Sequence, residues 1–365
     1  MADAGDSKSP GGNPVRVRLS PRASAMTHLS VLVLAQLAAA QHPTLRGAIV
    51  AAETGQPLGF SIVTLLPNGG RQFSDAAGAF SFVAAPGSYV LSVRQIGYAP
   101  LDTQIVVGDS TSVRIALRRL AIELPPVTIT AQRCTNPGRP DSSDAALRAV
   151  FDQLQENARR YELLADSFPF EYTLELSARE VSQRGDTGDP VRRRLHFSSE
   201  QDHPYHVGRV VEPAWGAWGN PDSFVVIHSA ELQDLGNPTF VANHCFSLAG
   251  RDTIGGETLV RINFEPAARI GSADMAGAAY LDSTTYELRY TETRLTRPER
   301  SALIDTRAMN FRTRFHNIAP GVPLQDSLIV ITTYRYGPRA KVIDVQRTLD
   351  VRFRRAKPGG TSEHP

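Results

Sequence analysis

After Pro169, apolar and polar residues alternate with a period of two. Because successive side chains of a β-strand point to opposite faces, this pattern predicts a half-buried strand with one solvated face. The alternating residues are Phe170, Tyr172, Leu174, Leu176 and Ala178 against Glu171, Thr173, Glu175, Ser177 and Arg179. Less regular strand-like runs follow at 191–199, 205–211, 222–228, 240–248, 258–265, 275–282, 285–295, 307–316, 327–336 and 340–353. Ten or eleven strands without helical crossovers predict a large antiparallel curved sheet or half-barrel over 169–355.

Residues 41–132 show a second β pattern, in which short strands are separated by turns. Gly, Pro, Asn and Asp cluster in turns at 67–70, 75–78, 85–87 and 97–100. These residue types favour tight turns, so the spacing predicts a seven-stranded β-sandwich. The predicted strands are Leu45–Val50, Phe60–Leu66, Ala79–Val83, Tyr89–Arg94, Thr103–Val107, Ser112–Leu117 and Val127–Thr130.

One amphipathic helix is predicted between the two β regions, within a linker and helix segment at 133–168. Ser143 and Asp144 are both suited to cap its N-terminus. We expect the apolar stripe that follows to pack on the second β region, because its residues recur at helical spacing. The stripe consists of Leu147, Val150, Phe151, Leu154, Ala158 and Tyr161. The fold is therefore predicted to be mainly β.

The charge balance argues against nucleic-acid binding. Lys and Arg number 39 and Asp and Glu 37, so the formal net charge of +2 gives no long-range field that would recruit nucleic acid.

The 365 residues leave room for two or three domains. The sequence also carries no nucleophile elbow, P-loop or dinucleotide fingerprint. We therefore expect a protein that is not an enzyme and needs no cofactor.

Residues 1–40 are predicted to be a disordered leader and signal peptide. The apolar run LSVLVLAQL at 29–37 precedes three alanines and a polar segment, as at a signal-peptide cleavage site. A retained anchor is the alternative, but the run is shorter than the about 20 residues that span a membrane. Met26 is an alternative start to Met1, since the expected basic residues lie upstream of it. We expect export to the periplasm or outer membrane, no integral membrane segment in the mature chain, and a disordered tail at 356–365.

Cys134 and Cys245 are the only two cysteines. In an oxidising compartment an isolated pair most simply forms one disulfide, and two unpaired thiols are the alternative. Neither has a second cysteine close by in sequence, so the sequence does not indicate a thiolate metal site.

Several short motifs in the first β region resemble the carboxypeptidase regulatory-like domain in order and spacing. They are Gly47–Val50, Thr54–Leu58, Asp75–Phe80, Pro86–Tyr89 and Arg94–Tyr98. That family has a transthyretin-like sandwich and also precedes the plug of many TonB-dependent outer-membrane receptors. The resemblance implies that Phe80, Phe82, Tyr89 and Tyr98 pack the core. The segment Pro125–Ala131 is similar to a TonB box, with a plain linker strand as the alternative.

A second resemblance covers the other β region. The runs at 243–246, 264–266 and 275–288 resemble exported bacterial proteins that carry the same regulatory-like domain in front. Those proteins have a cysteine just before the helix, which supports pairing of Cys134 with Cys245. More loosely, the run at 277–282 followed by a new strand is similar to the half-barrel of periplasmic lipoprotein carriers.

Two groups of histidines are candidate metal sites. His228 and Glu231 match half of a zinc carboxypeptidase motif, and His316 is a candidate third ligand. Such spacings arise readily by chance, and the alternating α/β pattern of those peptidases is missing here. A second group, His196, Glu200, His203 and His206, is better explained as a surface turn because Pro204 interrupts it. We therefore predict no metal.

Trp215 and Trp218 are candidate ligand-facing residues in a loop rich in Gly and Pro. Their rings are suited to stack on a sugar or cover the open end of a barrel, and burial under the loop is the alternative. The leading hypothesis is a non-catalytic envelope protein that has a regulatory-like adaptor sandwich. Its second β region would bind a hydrophobic ligand or a protein partner. An accessory of a TonB-dependent receptor system and a zinc hydrolase are the alternatives.

Overall fold

A computed structural model of the chain describes residues 44–124, 133–200, 205–214 and 224–354. It confirms the mainly β fold, with a seven-stranded first region, a long helix and a large antiparallel sheet. The predicted leader at 1–40, the segment Pro125–Ala131 and the tail at 356–365 lie outside the described residues.

The first region forms two sheets that enclose a common apolar core. One sheet has the order β4-β1-β7, with β1 and β7 parallel, and the other has the order β3-β2-β5-β6. Phe80 and Phe82 are buried in the core, and Tyr89 and Tyr98 pack against it. The strands are β1 (Thr44–Ala51), β2 (Ile62–Leu66), β3 (Gly70–Phe73), β4 (Ala79–Val83), β5 (Gly87–Arg94), β6 (Leu101–Val107) and β7 (Ser110–Leu117).

One strand of this region was missed by the sequence pattern. The turn predicted at 67–70 is present at 67–69, and the strand that was not predicted is β3, which begins at Gly70 and pairs with β2 in a tight hairpin. Asn68 and Gly70 have positive φ angles of 62° and 86°, which such a short connection requires. The seventh predicted strand, Val127–Thr130, lies outside the described residues.

Helix α1 (Ala145–Ser167) begins and packs as its sequence predicts. The Asp144 carboxylate accepts a hydrogen bond from the backbone N–H of Leu147 at 2.9 Å, which caps the N-terminus. All six residues of the predicted stripe are buried, and they contribute to the core beneath the large sheet.

Eleven strands follow α1 within the described residues, in agreement with the predicted number. Nine form one antiparallel sheet in the order β12-β13-β14-β15-β16-β17-β18-β8-β9, and β10 pairs with β11 in a separate ribbon. The strands are β8 (Phe170–Ser182), β9 (Val191–Ser198), β10 (Val211–Ala214), β11 (Phe224–Ile227), β12 (His244–Ile254), β13 (Glu257–Pro266), β14 (Asp274–Asp282), β15 (Leu288–Thr296), β16 (Thr306–Ala319), β17 (Val322–Tyr334) and β18 (Arg339–Phe353).

The sheet is open, because β9 and β12 are its two edges. The basic run Arg192–Arg194 lies on β9, where charged side chains discourage pairing with a further strand. Strand β18 pairs with β8 across more than 150 residues of sequence, which brings the last described strand beside the first strand of the sheet.

Two predicted strands were wrong in part. The run at 240–248 begins inside a helix, because Asn237 caps a helix that starts at Pro238, a residue favoured in the first turn. The run at 205–211 is mostly a turn, in which Gly208 has a φ of 79°. Two short helices are α2 (Leu232–Gly236) and α3 (Pro238–Asn243), and a 3-10 helix spans Pro298–Arg300.

Helix α1 also contacts the sandwich. The Gln153 side chain accepts a hydrogen bond from the backbone N–H of Gly97 at 2.8 Å, and both groups are buried. Ile96 of the sandwich belongs to the core that α1 shares with the large sheet, and Phe73 of the sandwich packs against this core. The helix therefore packs against both β regions.

The predicted disulfide is present between Cys134 and Cys245, which are 111 residues apart in sequence. It joins the segment before α1 to the start of β12. The backbone N–H of Ala268 also donates a hydrogen bond to the Cys134 carbonyl at 2.8 Å. This segment is therefore fixed to the sheet by covalent and non-covalent contacts.

Candidate functional site

The inner face of the nine-stranded sheet, defined here as the face that packs on α1, carries the apolar side chains. On β16 the residues Met309, Phe311, Thr313 and Phe315 are buried, whereas the alternating Asn310, Arg312 and Arg314 are exposed. This two-residue alternation places one apolar surface towards the core and one polar surface towards solvent.

A cavity of about 460 Å³ lies on this inner face. Its volume falls within the roughly 300–1,000 Å³ range of small-molecule sites. The segment 226–233, which runs from the end of β11 to the first residues of α2, forms the opposite wall. Inner-face residues that line it include Phe311 and Phe315 of β16, Leu324, Leu328, Val330 and Thr332 of β17, Asp344, Gln346 and Thr348 of β18, and Tyr172 and Leu174 of β8.

One end of the cavity is aromatic. The ring of Tyr172 stacks on that of Phe197 with centroids 5.7 Å apart, and Tyr161 of α1 also lines the wall. Burial raises the pKa of Tyr172 to about 12, and the charge of Glu231 adds to the shift. The phenol is therefore neutral at physiological pH and presents a polar hydroxyl on an apolar ring.

Asp344 is an ionisable residue in the wall formed by β18. Its cross-strand neighbours are Val330 and Ala178, and burial raises the pKa of its carboxyl group. Among the described residues, none forms a hydrogen bond or ion pair with this carboxylate. No sequence signal pointed to Asp344, because an acidic residue in an alternating strand normally marks the solvated face.

The predicted zinc ligands do not come together. His228 and Glu231 both line the cavity, but the His228 Nε2 atom lies 3.7 Å from Glu212 Oε2 and Glu231 precedes α2. The half-exposed His316 side chain lies on β16, where its Nδ1 atom is 3.5 Å from Asp326 Oδ1. Within the described residues, the structure shows no group of three or more His, Cys, Asp or Glu side chains that is placed to hold a metal ion.

The remaining candidate residues are the two tryptophans and the second histidine group. Trp215 and Trp218 lie outside the described residues, as does His203 of the second histidine group. His196 lies on the edge strand β9, and its Nδ1 atom is 3.0 Å from the Thr173 hydroxyl. The structure therefore places this histidine in the strand predicted at 191–199.

A buried polar cluster holds residue Tyr205 against the large sheet and was not predicted. The Tyr205 hydroxyl donates to the Asp274 carboxylate at 2.6 Å, and the backbone N–H of Met275 donates to the same group at 2.7 Å. The two His244 ring nitrogens lie 2.8 and 3.0 Å from the carbonyls of Phe240 and Met275. Burial raises the pKa of Tyr205, and its hydrogen bond to Asp274 adds to the shift. The hydrogen bonds of Tyr205 and Met275 to Asp274 support the fold beside the cavity.

A larger hollow of about 1360 Å³ lies on the outer face of the sheet, but its character differs. Five of its charged side chains form ion pairs: Arg294 with Glu265 at 2.7 Å, Arg312 with Glu292 at 2.9 Å, and Arg261 with the neighbouring Asp252 at 3.5 Å. Arg133, Arg297 and Arg307 also line the hollow. A surface with this many charged groups offers little to an apolar ligand. The inner-face cavity is therefore the better candidate site.

No helix among the described residues is long and apolar enough to cross a membrane.

No family model matches the chain, and no curated protein matches it. Among solved structures, the chain is similar to a DUF1329 family protein from Desulfovibrio piger at 12% identity, covering 57% of this chain and 93% of that chain with a TM-score of 0.32. It is also similar to a LolA superfamily protein from Nitrosomonas europaea at 11% identity, with 56% and 93% of the chains covered and a TM-score of 0.30. TM-scores of this size do not establish a common fold.

Proposed function

We propose that this chain is a non-catalytic binding protein of the bacterial envelope that holds a hydrophobic ligand in the inner-face cavity. The single observation that carries the proposal is the cavity itself, whose walls are largely aromatic and aliphatic. Burying apolar surface in such a cavity is favourable by about 25 cal/mol per Å², which is enough to bind a molecule with a long apolar chain. The signal-peptide pattern at 29–40 supports export.

The sandwich is proposed to act as an adaptor of the carboxypeptidase regulatory-like type. Its motif spacing and its two-sheet arrangement of seven strands support this assignment. Contacts through α1 connect it to the cavity, because Tyr161 lines the cavity and Gln153, two turns earlier, binds Gly97 of the sandwich. A partner bound to the sandwich would therefore be connected to the ligand-binding cavity through α1.

Filling the cavity should abolish ligand binding. Gln346 of β18 lines the cavity, and we expect Gln346→Trp to occupy the ligand volume with an indole ring. Saturable one-to-one binding of the neutral probe N-phenyl-1-naphthylamine, followed by its fluorescence, should weaken at least about tenfold in this variant.

The matched control is Arg347→Trp on the same strand. Arg347 is exposed on the outer face, so this variant adds the same ring outside the cavity. We expect wild-type probe affinity for the control. Equal probe affinity for Gln346→Trp and Arg347→Trp would show that the probe binds elsewhere and would contradict the proposed function.

A further inference from the structure

The proposed function leaves open which apolar molecules the cavity accepts, and the carboxylate of Asp344 bears on that choice. Along β18 the cavity-lining residues Asp344, Gln346 and Thr348 follow one another on the same face. The four-residue separation of Asp344 from Thr348 corresponds to about 13 Å along the strand. The carboxylate therefore lies well away from the aromatic end, at a position suited to the head group of a ligand whose chain extends towards Tyr172.

We propose that the cavity selects amphiphiles whose head group donates hydrogen bonds to the Asp344 carboxylate. An amine head group binds more tightly than a hydroxyl, and a carboxylate head group binds most weakly. This inference rests on the proposed function. A head group that donates hydrogen bonds would provide a partner for the Asp344 carboxylate, which lies in a partly apolar wall. A ligand carboxylate at the same place would be repelled by the charge of Asp344.

The charged groups around Asp344 do not neutralise it. Glu180 of β8 is paired with Arg339 at 3.0 Å, and the Arg339 guanidinium lies 5.5 Å from the Tyr334 ring centroid. Burial, together with the charges of Asp344 and Glu180, raises the pKa of Tyr334 against the opposing effect of Arg339, so this phenol stays neutral. On the opposite wall, His228 faces Glu212 at 3.7 Å, and Glu231 adds a further carboxylate to the cavity lining. Among the described residues, no cation forms an ion pair with Asp344.

Calorimetric titration of the purified chain with decylamine, decanol and decanoate tests the inference. The three ligands share one alkyl chain, so differences in affinity report the head group. We expect decylamine to bind about tenfold or more tightly than decanoate, with decanol between them, because hydrogen bonds to a charged acceptor are strong. Asp344→Asn preserves the size of the side chain and should reduce this preference to within about threefold.

The control variant is Asp326→Asn, since Asp326 is a half-exposed carboxylate of β17 that faces His316. It should keep the wild-type order of affinities. Decanoate binding as tightly as decylamine, or an order unchanged by Asp344→Asn, would overturn this inference and leave the proposed function standing. Failure of all three ligands to bind the wild-type chain would instead contradict the proposed function.

The pH dependence gives a second readout. Burial raises the pKa of Asp344, so the carboxylate gains a proton as the pH falls through that raised value and loses its attraction for an ammonium group. Decylamine keeps its positive charge throughout this range. As the pH is lowered, we expect the affinity for decylamine to fall more steeply in the wild type than in Asp344→Asn, which lacks this carboxylate. Parallel pH profiles for the two proteins would overturn the inference.

Discussion

Reducing the disulfide between Cys134 and Cys245 is expected to lower the free energy of unfolding by about 5 kcal/mol. The bond closes a loop of 111 residues, so its loss enlarges the unfolded ensemble considerably. The loop contains α1 and the strands β8 to β11, which include part of the cavity wall. Removal of the bond should therefore both destabilise the chain and increase local opening beside the site.

Denaturant unfolding with and without reductant measures this effect. The double variant Cys134→Ala/Cys245→Ala should reproduce the reduced wild type and should itself be insensitive to reductant. An unfolding midpoint that stays the same after reduction would mean that packing of Ala267 and Ile270 around the cysteines suffices to hold this segment. That result would contradict the role given to the bond.

Replacing Arg160 with leucine is expected to cost about 3 kcal/mol, the second largest effect. Only 1% of this residue is exposed, and its guanidinium donates to the carbonyls of Gly321 at 2.7 Å and Pro320 at 3.1 Å. A third hydrogen bond reaches the side chain of Gln95 in the sandwich at 3.2 Å. Burial lowers the pKa of Arg160 to about 10, so the group remains charged at neutral pH.

The cost has two physical origins. Arg160→Leu leaves the two backbone carbonyls without their donor, and it removes a positive charge that partly offsets the burial of Glu156, whose pKa burial raises. Arg159→Leu is the matched control, because Arg159 precedes Arg160 in α1, is 42% exposed and also lies 3.6 Å from Glu156, but its hydrogen bond goes to the Gln155 side chain and not to a backbone carbonyl. We expect the control to lose less than about 1 kcal/mol in urea unfolding. Equal losses in the two variants would contradict the account of α1 as the connector of both β regions.

Local periodicity was enough to predict much of the fold. The six apolar residues of α1 and the Asp144 cap are encoded within a short stretch of sequence, and the strand β8 within another. The errors occurred where turn and cap chemistry outweighs periodicity. Asn237 and Pro238 together start a helix that extends into the strand predicted at 240–248, and Gly70 starts an additional strand at the end of the predicted turn.

The site could not be predicted in the same way, because it depends on pairings between distant segments. The cavity exists because β18 lies beside β8 and the segment 226–233 covers the inner face. Which face Asp344 occupies follows from that register, and a shift by one residue would turn it to solvent. His228 and Glu231 were singled out for a metal, but the structure places them in the wall of an apolar cavity instead.

If an apolar ligand occupies the inner-face cavity, a photoreactive ligand should label the residues of that face. The chain would be irradiated with a decanol analogue that carries a diazirine in its alkyl chain, and labelled residues would be located by tandem mass spectrometry. We expect label on inner-face residues such as Phe311, Leu328 and Val330, and excess decanol should compete it away. Label confined to outer-face residues such as Arg312, Ile329 and Ile331, or label that decanol does not compete, would contradict the claim.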